Sequence, residues 1–247
     1  MTGRAFLSLR PGVHYRREAF AAGLARVGFE VHHGMTDRPK VGDILVIWNR
    51  YAQYDAAAKI FERNGLPVLV AENGYLGNDL AGDRWYALAL NHHNGGGAWR
   101  IGGPERWDSL GIELEPFRPV AGGECILLPQ RGIGPIGVAM PRNWQRDTER
   151  QLRDLGMPYR VRAHPGTGAC RPLEADLARA GAVLTWGSGA ALKALAMGIN
   201  VFSDFPKWIG RQDNTEAGRL AMFRRLAWAQ WRISEISNGE AFKWLLA

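Results

Sequence analysis

The sequence predicts an α/β protein made of two parallel-sheet units, with helices at the C-terminal end bracing them. Three observations carry this. Apolar runs of strand length alternate with segments of helical periodicity, first over residues 4–74 and again over 124–203. The longest of these runs show no alternation of apolar and polar residues, as expected of strands covered on both faces. A stretch rich in glycine and proline, 102–123, separates the two series and sets the expected boundary at 122/123.

In the first series "RAFLSL" (4–9) reads as a strand and "HYRREAFAAGLARVG" (14–28) as a helix that stops at Gly28. "FEVHHG" (29–34) follows, then "DILVIWNR" (43–50), a buried strand. "YDAAAKIFERNG" (54–65) is a helix closed by glycine, and "LPVLVAENG" (66–74) is again a buried strand. Residues 75–123 give no regular pattern, and "NHHNGGGAW" (91–99) reads as loop. In the second series strands are expected at 124–130, 158–165 and 182–186, with helices at 143–156 and 172–181. "GSGAALKALAMGINVFSD" (187–204) supplies a further helix and strand. The tail, 214–246, reads as helices, with Ser237 and Glu240 at capping-box spacing and Trp228, Trp231 and Trp244 as core anchors.

At 247 residues the chain can form one large domain or two small ones, each with its own core, and 46% hydrophobic with 22% charged residues is ordinary for a soluble globular protein. No apolar run is long enough to cross a bilayer and the N-terminus lacks the layout of a secretion signal, so a cytoplasmic protein without membrane contact is expected. Cys125 and Cys170 have no Cys or His neighbour at ligand spacing, which argues against a disulfide framework or a bound metal. The net charge is +7, and 26 of the 31 basic residues are arginine. The planar guanidinium suits phosphate, which suggests nucleotides or nucleic acid; arginine-rich codon usage produces the same composition, so charge alone decides nothing.

In open parallel sheets, ligands bind beyond the carboxyl ends of the strands. The post-strand segments are therefore the candidates: "RPG" (10–12), "NRY" (49–51), "ENG" (72–74), "QRGIGPIG" (130–137), "RAHPG" (162–166) and "WGSG" (186–189). They are expected to converge on a cleft. Gly132, Gly134 and Gly137 match the spacing of a dinucleotide fingerprint, but Pro135 prevents a helix from opening there, and His164 stands where the ribose-binding acid belongs. "WGSG" fails as a nucleophile elbow, because Trp186 and Ala190 occupy its glycine positions and no histidine follows Ser188. Two readings of Ser188 stand: a plain helix cap, or a phosphate site formed by its hydroxyl and the amides of Gly189 and Ala190. His164, preceded by Arg162 and followed by Pro165, adds a second donor to phosphate oxygens.

In this order of strand, His164-Pro165, helix, strand and Ser188-Gly189, residues 124–205 resemble the C-terminal half of GT-B glycosyltransferases. In layout they are similar to sialyltransferases and capsular Kdo transferases, which carry an HP motif and a later serine motif. The resemblance implies two Rossmann-like domains facing a cleft: an acceptor domain over 1–122, a nucleotide-sugar domain over 123–213, and helices over 214–247 packing across them. It implies sugar transfer without a metal, from a UDP-sugar first and a CMP-sugar second, with no permanently bound cofactor. The donor would be held by Arg131, Gly132, Gly134, Arg162, His164, Pro165, Trp186, Gly187, Ser188, Gly189 and Ala190. Lys193 and Ala194 stand where the family's ribose-binding glutamate falls. No Asp-x-Asp spacing of the metal-dependent transferases occurs.

Glu72 is the expected catalytic base, with Asp79 and Asp83 behind it, and acceptor contacts are expected from Arg10, Gly12, Asn49, Arg50, Asn73, His92 and His93. In size and charge the chain also resembles phage proteins that glycosylate hydroxymethylated pyrimidines, so DNA in a host cytoplasm is the expected acceptor. Arg142, Arg146, Arg150 and Arg153 recur at helical spacing as a possible phosphate-contacting stripe, although Glu149 and Asp154 interleave with them as in a self-paired surface helix. Loop 91–100 offers Trp99 or the His pair to an extruded base. A transferase for a surface glycan or polyol, and a non-catalytic nucleotide- or nucleic-acid-binding module, are the alternatives.

Overall fold

The computed structural model describes residues 3–77, 79–80, 82–93, 96–120, 123–134, 136–164 and 171–247. The chain forms two compact units, Met1–Arg106 with Arg225–Ala247, and Trp107–Arg224. It changes unit at 106/107 and 224/225, whereas the sequence sets boundaries at 122/123, from the glycine-rich stretch, and at 213/214, from the resemblance.

Unit 1 begins with β1 (Arg4–Ser8), α1 (Arg17–Arg26), β2 (Glu30–His33), β3 (Ile44–Trp48), α2 (Ala52–Arg63) and β4 (Val68–Asn73). These four strands are parallel, in the order β4-β3-β1-β2. Their continuous apolar runs are explained by cover on both faces. Phe6, Leu45, Ile47, Val68 and Val70 pack on Tyr54, Ala57, Ala58 and Phe61 of α2. The intervening residues, among them Leu7, Val46, Leu69 and Ala71, pack on Phe20 and Leu24 of α1. Each fully buried side chain of this kind contributes roughly 1.5–3 kcal/mol.

The sheet then departs from the parallel expectation. β6 (Asp83–Leu90) runs antiparallel to β4 and pairs with the two-residue β5 (Asp79–Leu80). A strand from the C-terminal tail, β11 (Gln230–Arg232), runs antiparallel to β6. The sequence of β6, "DRWYALAL", is rich in Ala and Leu, good helix formers. The open edge of β4 decides its state, because Trp85 to Ala89 are all buried against the sheet.

The tail closes this unit with α8 (Ile233–Ser237) and α9 (Glu240–Leu246). Gly23 lets α1 approach α8 closely, since a Cβ there would lie 1.8 Å from the Ile236 carbonyl oxygen. Arg106 pins the tail: its guanidinium donates to both Glu235 oxygens at 2.8 Å and to the carbonyls of Ala227 and Gln230. It also lies 4.1 Å from the Trp231 ring centre. The expected Ser237–Glu240 capping box does not form. Gly239 (φ 88°) enters α9, Asn238 Oδ1 accepts the Glu240 N–H, and the Ser237 hydroxyl turns back to the Ser234 carbonyl.

A single turn, α3 (Glu105–Asp108), carries the chain into unit 2. There β7 (Glu124–Leu128), α4 (Trp144–Asp154), β8 (Tyr159–Val161), α5 (Leu173–Leu177), β9 (Ala180–Thr185), α6 (Ala190–Ala196) and β10 (Asn200–Ser203) form a wholly parallel sheet in the order β10-β9-β7-β8. α7 (Glu216–Ala227) follows. The Cys125 thiol lies in this core with Leu127, Leu152 and Ala182, and burial pushes its pKa up. Among the described residues no group of three metal-ligating side chains occurs, and no helix is long and apolar enough to cross a membrane.

Candidate functional site

Both parallel quartets share one topology. In each, the first strand sits between the second and the third, so the chain reverses direction across the sheet between first and third strands, where a crevice opens at the carboxyl edge. In unit 2 that point lies between β7 and β9. The loops flanking it are "QRGIGPIG" and "WGSG", the two segments whose glycines drew attention in the sequence.

Hydrogen bonds tie these loops together. Thr185 Oγ1 donates to the Leu128 carbonyl at 2.8 Å and accepts the Ser188 N–H at 2.9 Å. Gln130 Nε2 donates to the Gly187 carbonyl and Trp186 Nε1 to the Val138 carbonyl, each at 2.9 Å. The Ser203 hydroxyl, at the end of β10, donates to the Trp186 carbonyl at 2.6 Å. Gly132 (φ 68°) and Gly134 (φ 129°) have left-handed backbone, so their glycine identity answers to the turn. Gly189 occupies the N-cap of α6, and Ser188 stands one residue earlier with its Oγ accepting the Ala190 N–H at 3.2 Å. The Ala190 amide, expected to point outward, is thus already engaged.

Arg131 leaves β7 and His164 leaves β8 at the same edge, one strand apart, since Leu127 pairs with Val161. Burial, and then the charge of Arg131, hold the His164 imidazole below its ordinary pKa. Among the described residues no acidic side chain pairs with Arg131. Ser188 leaves β9 on the other side of β7, two strand spacings or roughly 10 Å from the β8 end. Unit 2 therefore carries, along one edge, a hydroxyl turn, a cation with no acidic partner among the described residues and an imidazole held toward its neutral form. Such a row suits an oxyanion.

Arg162, expected beside His164, is committed elsewhere. With Arg160 it grips Asp176. Burial alone would raise the Asp176 pKa, but the hydrogen bonds from Arg160 and Arg162 outweigh it and hold the carboxyl below its ordinary value. Pro165 and Cys170 lie outside the described residues, as do Asn94 and Gly95 of loop 91–100.

Unit 1 divides its expected acceptor residues. Arg10 and Gly12 follow β1, and Asn49 follows β3, at the equivalent crevice. Arg50 instead turns inward: it donates to both Glu62 oxygens (2.5 and 2.8 Å), to Asp55 (2.8 Å) and to the Asn91 carbonyl (2.5 Å). The Arg50 N–H donates to His93 Nδ1 at 3.0 Å. His92 and His93, expected on an exposed loop, are stacked with ring centres 4.7 Å apart and almost wholly buried, which together with the neighbouring cations lowers the His93 pKa to about 3. Trp99 is likewise packed, its Nε1 donating to the Arg225 carbonyl.

Glu72 and Asn73 close β4 opposite Ala87 and Tyr86, at the same edge as the ends of β1 and β3. Asp79 pairs with Arg84 at 3.1 Å, and Asp83 accepts from Ser234 at 3.4 Å. On α4, Arg146 and Arg150 share Asp147, and Arg153 pairs with Glu149 and Tyr159, so this helix is the self-paired surface that the interleaved acids allowed. Tyr15, Trp48 and Tyr54 also border the unit 1 crevice and were not among the expected residues; Trp48 ends β3, Tyr54 lies on α2 and Tyr15 precedes α1, so aromatic residues flanking the post-strand segments were the signal.

Two parallel-rich sheets with flanking helices give the chain a GT-B-like α/β fold. The structure is similar to a β-Kdo 2,4 transferase, KpsC of Thermosulfurimonas dismutans, with a TM-score of 0.58 and 14% identity over 96% of this chain and 98% of that one. It is also similar to the β-Kdo 2,7 transferase of the same organism's KpsC, with a TM-score of 0.51 and 9% identity over 98% and 99%. At these identities the likeness is one of fold. No family model and no curated protein matches the sequence.

Proposed function

We propose that the chain is a glycosyltransferase that takes a sugar from a nucleotide-sugar bound at the β7/β9 crevice and attaches it to a hydroxyl acceptor. The observation that carries this is Arg131 beside a neutral His164 at the crevice, with no acid among the described residues paired to the arginine. In the transfer the acceptor oxygen attacks the anomeric carbon, the bond from that carbon to the nucleotide phosphate breaks, and the phosphate leaves with the electron pair. Arg131 and His164 stabilise the charge developing on it. Glu72 takes the proton of the acceptor hydroxyl. The similar structures are Kdo transferases, which supports transfer of a sugar on this fold.

A saccharide hydroxyl is the better supported acceptor. The expectation of DNA rested on a likeness in size and charge and on the arginine stripe at 142–153, and of that stripe Arg146, Arg150 and Arg153 are paired with acids of their own helix. A thermal-shift panel of UDP, CMP, GDP and their sugars tests the donor site: stabilisation by at least one nucleotide is expected, and none by any would sink the reading. Glu72→Gln is expected to abolish transfer while sparing nucleotide binding. Mass spectrometry of oligosaccharides and of hydroxymethylpyrimidine DNA, each incubated with the protein and a sugar-nucleotide panel, separates the two acceptors.

A further inference from the structure

The crevice of unit 1 is furnished differently from that of unit 2. β1 and β3 pair with Ser8 opposite Ile47, so Arg10 and Asn49 emerge at the same level beyond the strand ends. The Arg10 guanidinium lies close to the hydroxyls of Tyr54, Tyr15 and Tyr51, and this proximity, Tyr54 foremost, raises its pKa. Arg10 is exposed, and among the described residues it has no acidic partner. The rings are braced edge to face: Tyr51 on Tyr54 at 5.5 Å and Tyr15 on Trp48 at 5.0 Å between centres.

Two further observations single out these loops. Of the five described non-glycine residues with left-handed backbone, Arg16 (φ 48°), Asn49 (φ 56°) and Ala52 (φ 44°) lie here. Alanine has no side chain able to compensate such a conformation, and strain of this kind gathers where a site holds the chain in place. Asn49 Oδ1 is shielded from solvent with no hydrogen-bond partner among the described residues. Arg50, the next residue, shows what this fold does with an arginine that serves packing: it receives two carboxylates.

We propose that this crevice is a second binding site, one that takes an oxyanion carried on a sugar ring. Arg10 grips the anion, the tyrosine hydroxyls donate to it, and the braced rings pack against the C–H face of the sugar. A neutral sugar would leave the guanidinium without a counter-charge, and a free oxyanion would leave the aromatic frame unfilled. The inference rests on the transferase reading only in naming the ligand as the acceptor. The shared chemistry covers a carboxylate and a phosphate on the ring, and the experiment separates them.

Saturation-transfer NMR on the full chain would measure the affinities of glucuronate, glucose 6-phosphate, glucose and inorganic phosphate. At least one of the two anionic sugars is expected to bind tenfold or more tightly than both glucose and phosphate, and the tighter one identifies the anion. Arg10→Gln is expected to weaken it at least tenfold and Tyr54→Phe about threefold, with the melting temperatures and nucleotide binding of both variants unchanged. Retained nucleotide binding keeps this test separate from that of the donor site. The proposal is overturned if neither anionic sugar outbinds glucose and phosphate, or if both variants bind it as the native chain does.

Discussion

The two units carry the same four-strand parallel topology, yet treat the arginine after a crevice strand in opposite ways. In unit 1, Arg50 after β3 is drawn inward by Asp55 and Glu62 and becomes part of the packing. In unit 2, Arg131 after β7 has no acidic partner among the described residues and lies one strand spacing from His164. Topology thus places a cation at the crevice, and the helix that follows decides its use. In unit 1 that helix, α2, carries the two carboxylates one and three turns in.

The largest expected effect tests this directly. Arg50→Met should cost about 3 kcal/mol of stability, because it leaves the partly buried Glu62 carboxylate uncompensated and Asp55 with Lys59 alone, whereas Arg131→Met should fall within about 0.5 kcal/mol in the same urea titrations. Equal costs would erase the contrast.

Next comes pH. His93 is held at about 3 in the folded chain, against about 6.5 when unfolded. Protonation therefore favours the unfolded chain, and the stability this histidine contributes above pH 6.5 is lost as pH falls toward 3. The loss should reach about 2 kcal/mol by pH 5. His93→Asn, which keeps an acceptor for the Arg50 N–H, should flatten that dependence.

At the unit 2 crevice, Arg131→Met or His164→Ala should weaken nucleotide binding about tenfold, or about 1.4 kcal/mol, read by thermal shift. An anion beside His164 favours its charged form, so affinity should rise as pH falls from 8 to 6 and should not do so in His164→Asn. The smallest effect is expected on α4, where Arg146→Ala and Arg150→Ala should change stability by less than about 0.5 kcal/mol and leave transfer intact.

Much of the architecture was legible in the residues. The strands at 4–8, 44–48, 68–73 and 124–128 announced themselves because each is covered on both faces, which forces uninterrupted apolar runs. β6 and β11 did not, because a short Ala-rich run and a three-residue strand have no periodicity of their own and owe their state to an open sheet edge. Arg131, His164 and Ser188 were found from their place after strands. Arg50 and Arg162 were chosen by the same rule and turned out to be packed, since position after a strand does not say which way a side chain turns; His92 and His93, chosen as part of a glycine-rich loop, are packed as well.

By itself, then, the sequence determined the alternation of elements, the parallel quartets and the segments that border each crevice, because periodicity and turn chemistry are local properties. Only the tertiary structure decided which cations met a carboxylate. Asp55 and Glu62 reach Arg50 through the winding of α2, and Asp176 reaches Arg160 and Arg162 from α5. Ser188 and His164, 24 residues apart in the chain, border one sheet edge because β7 lies between the strands that carry them.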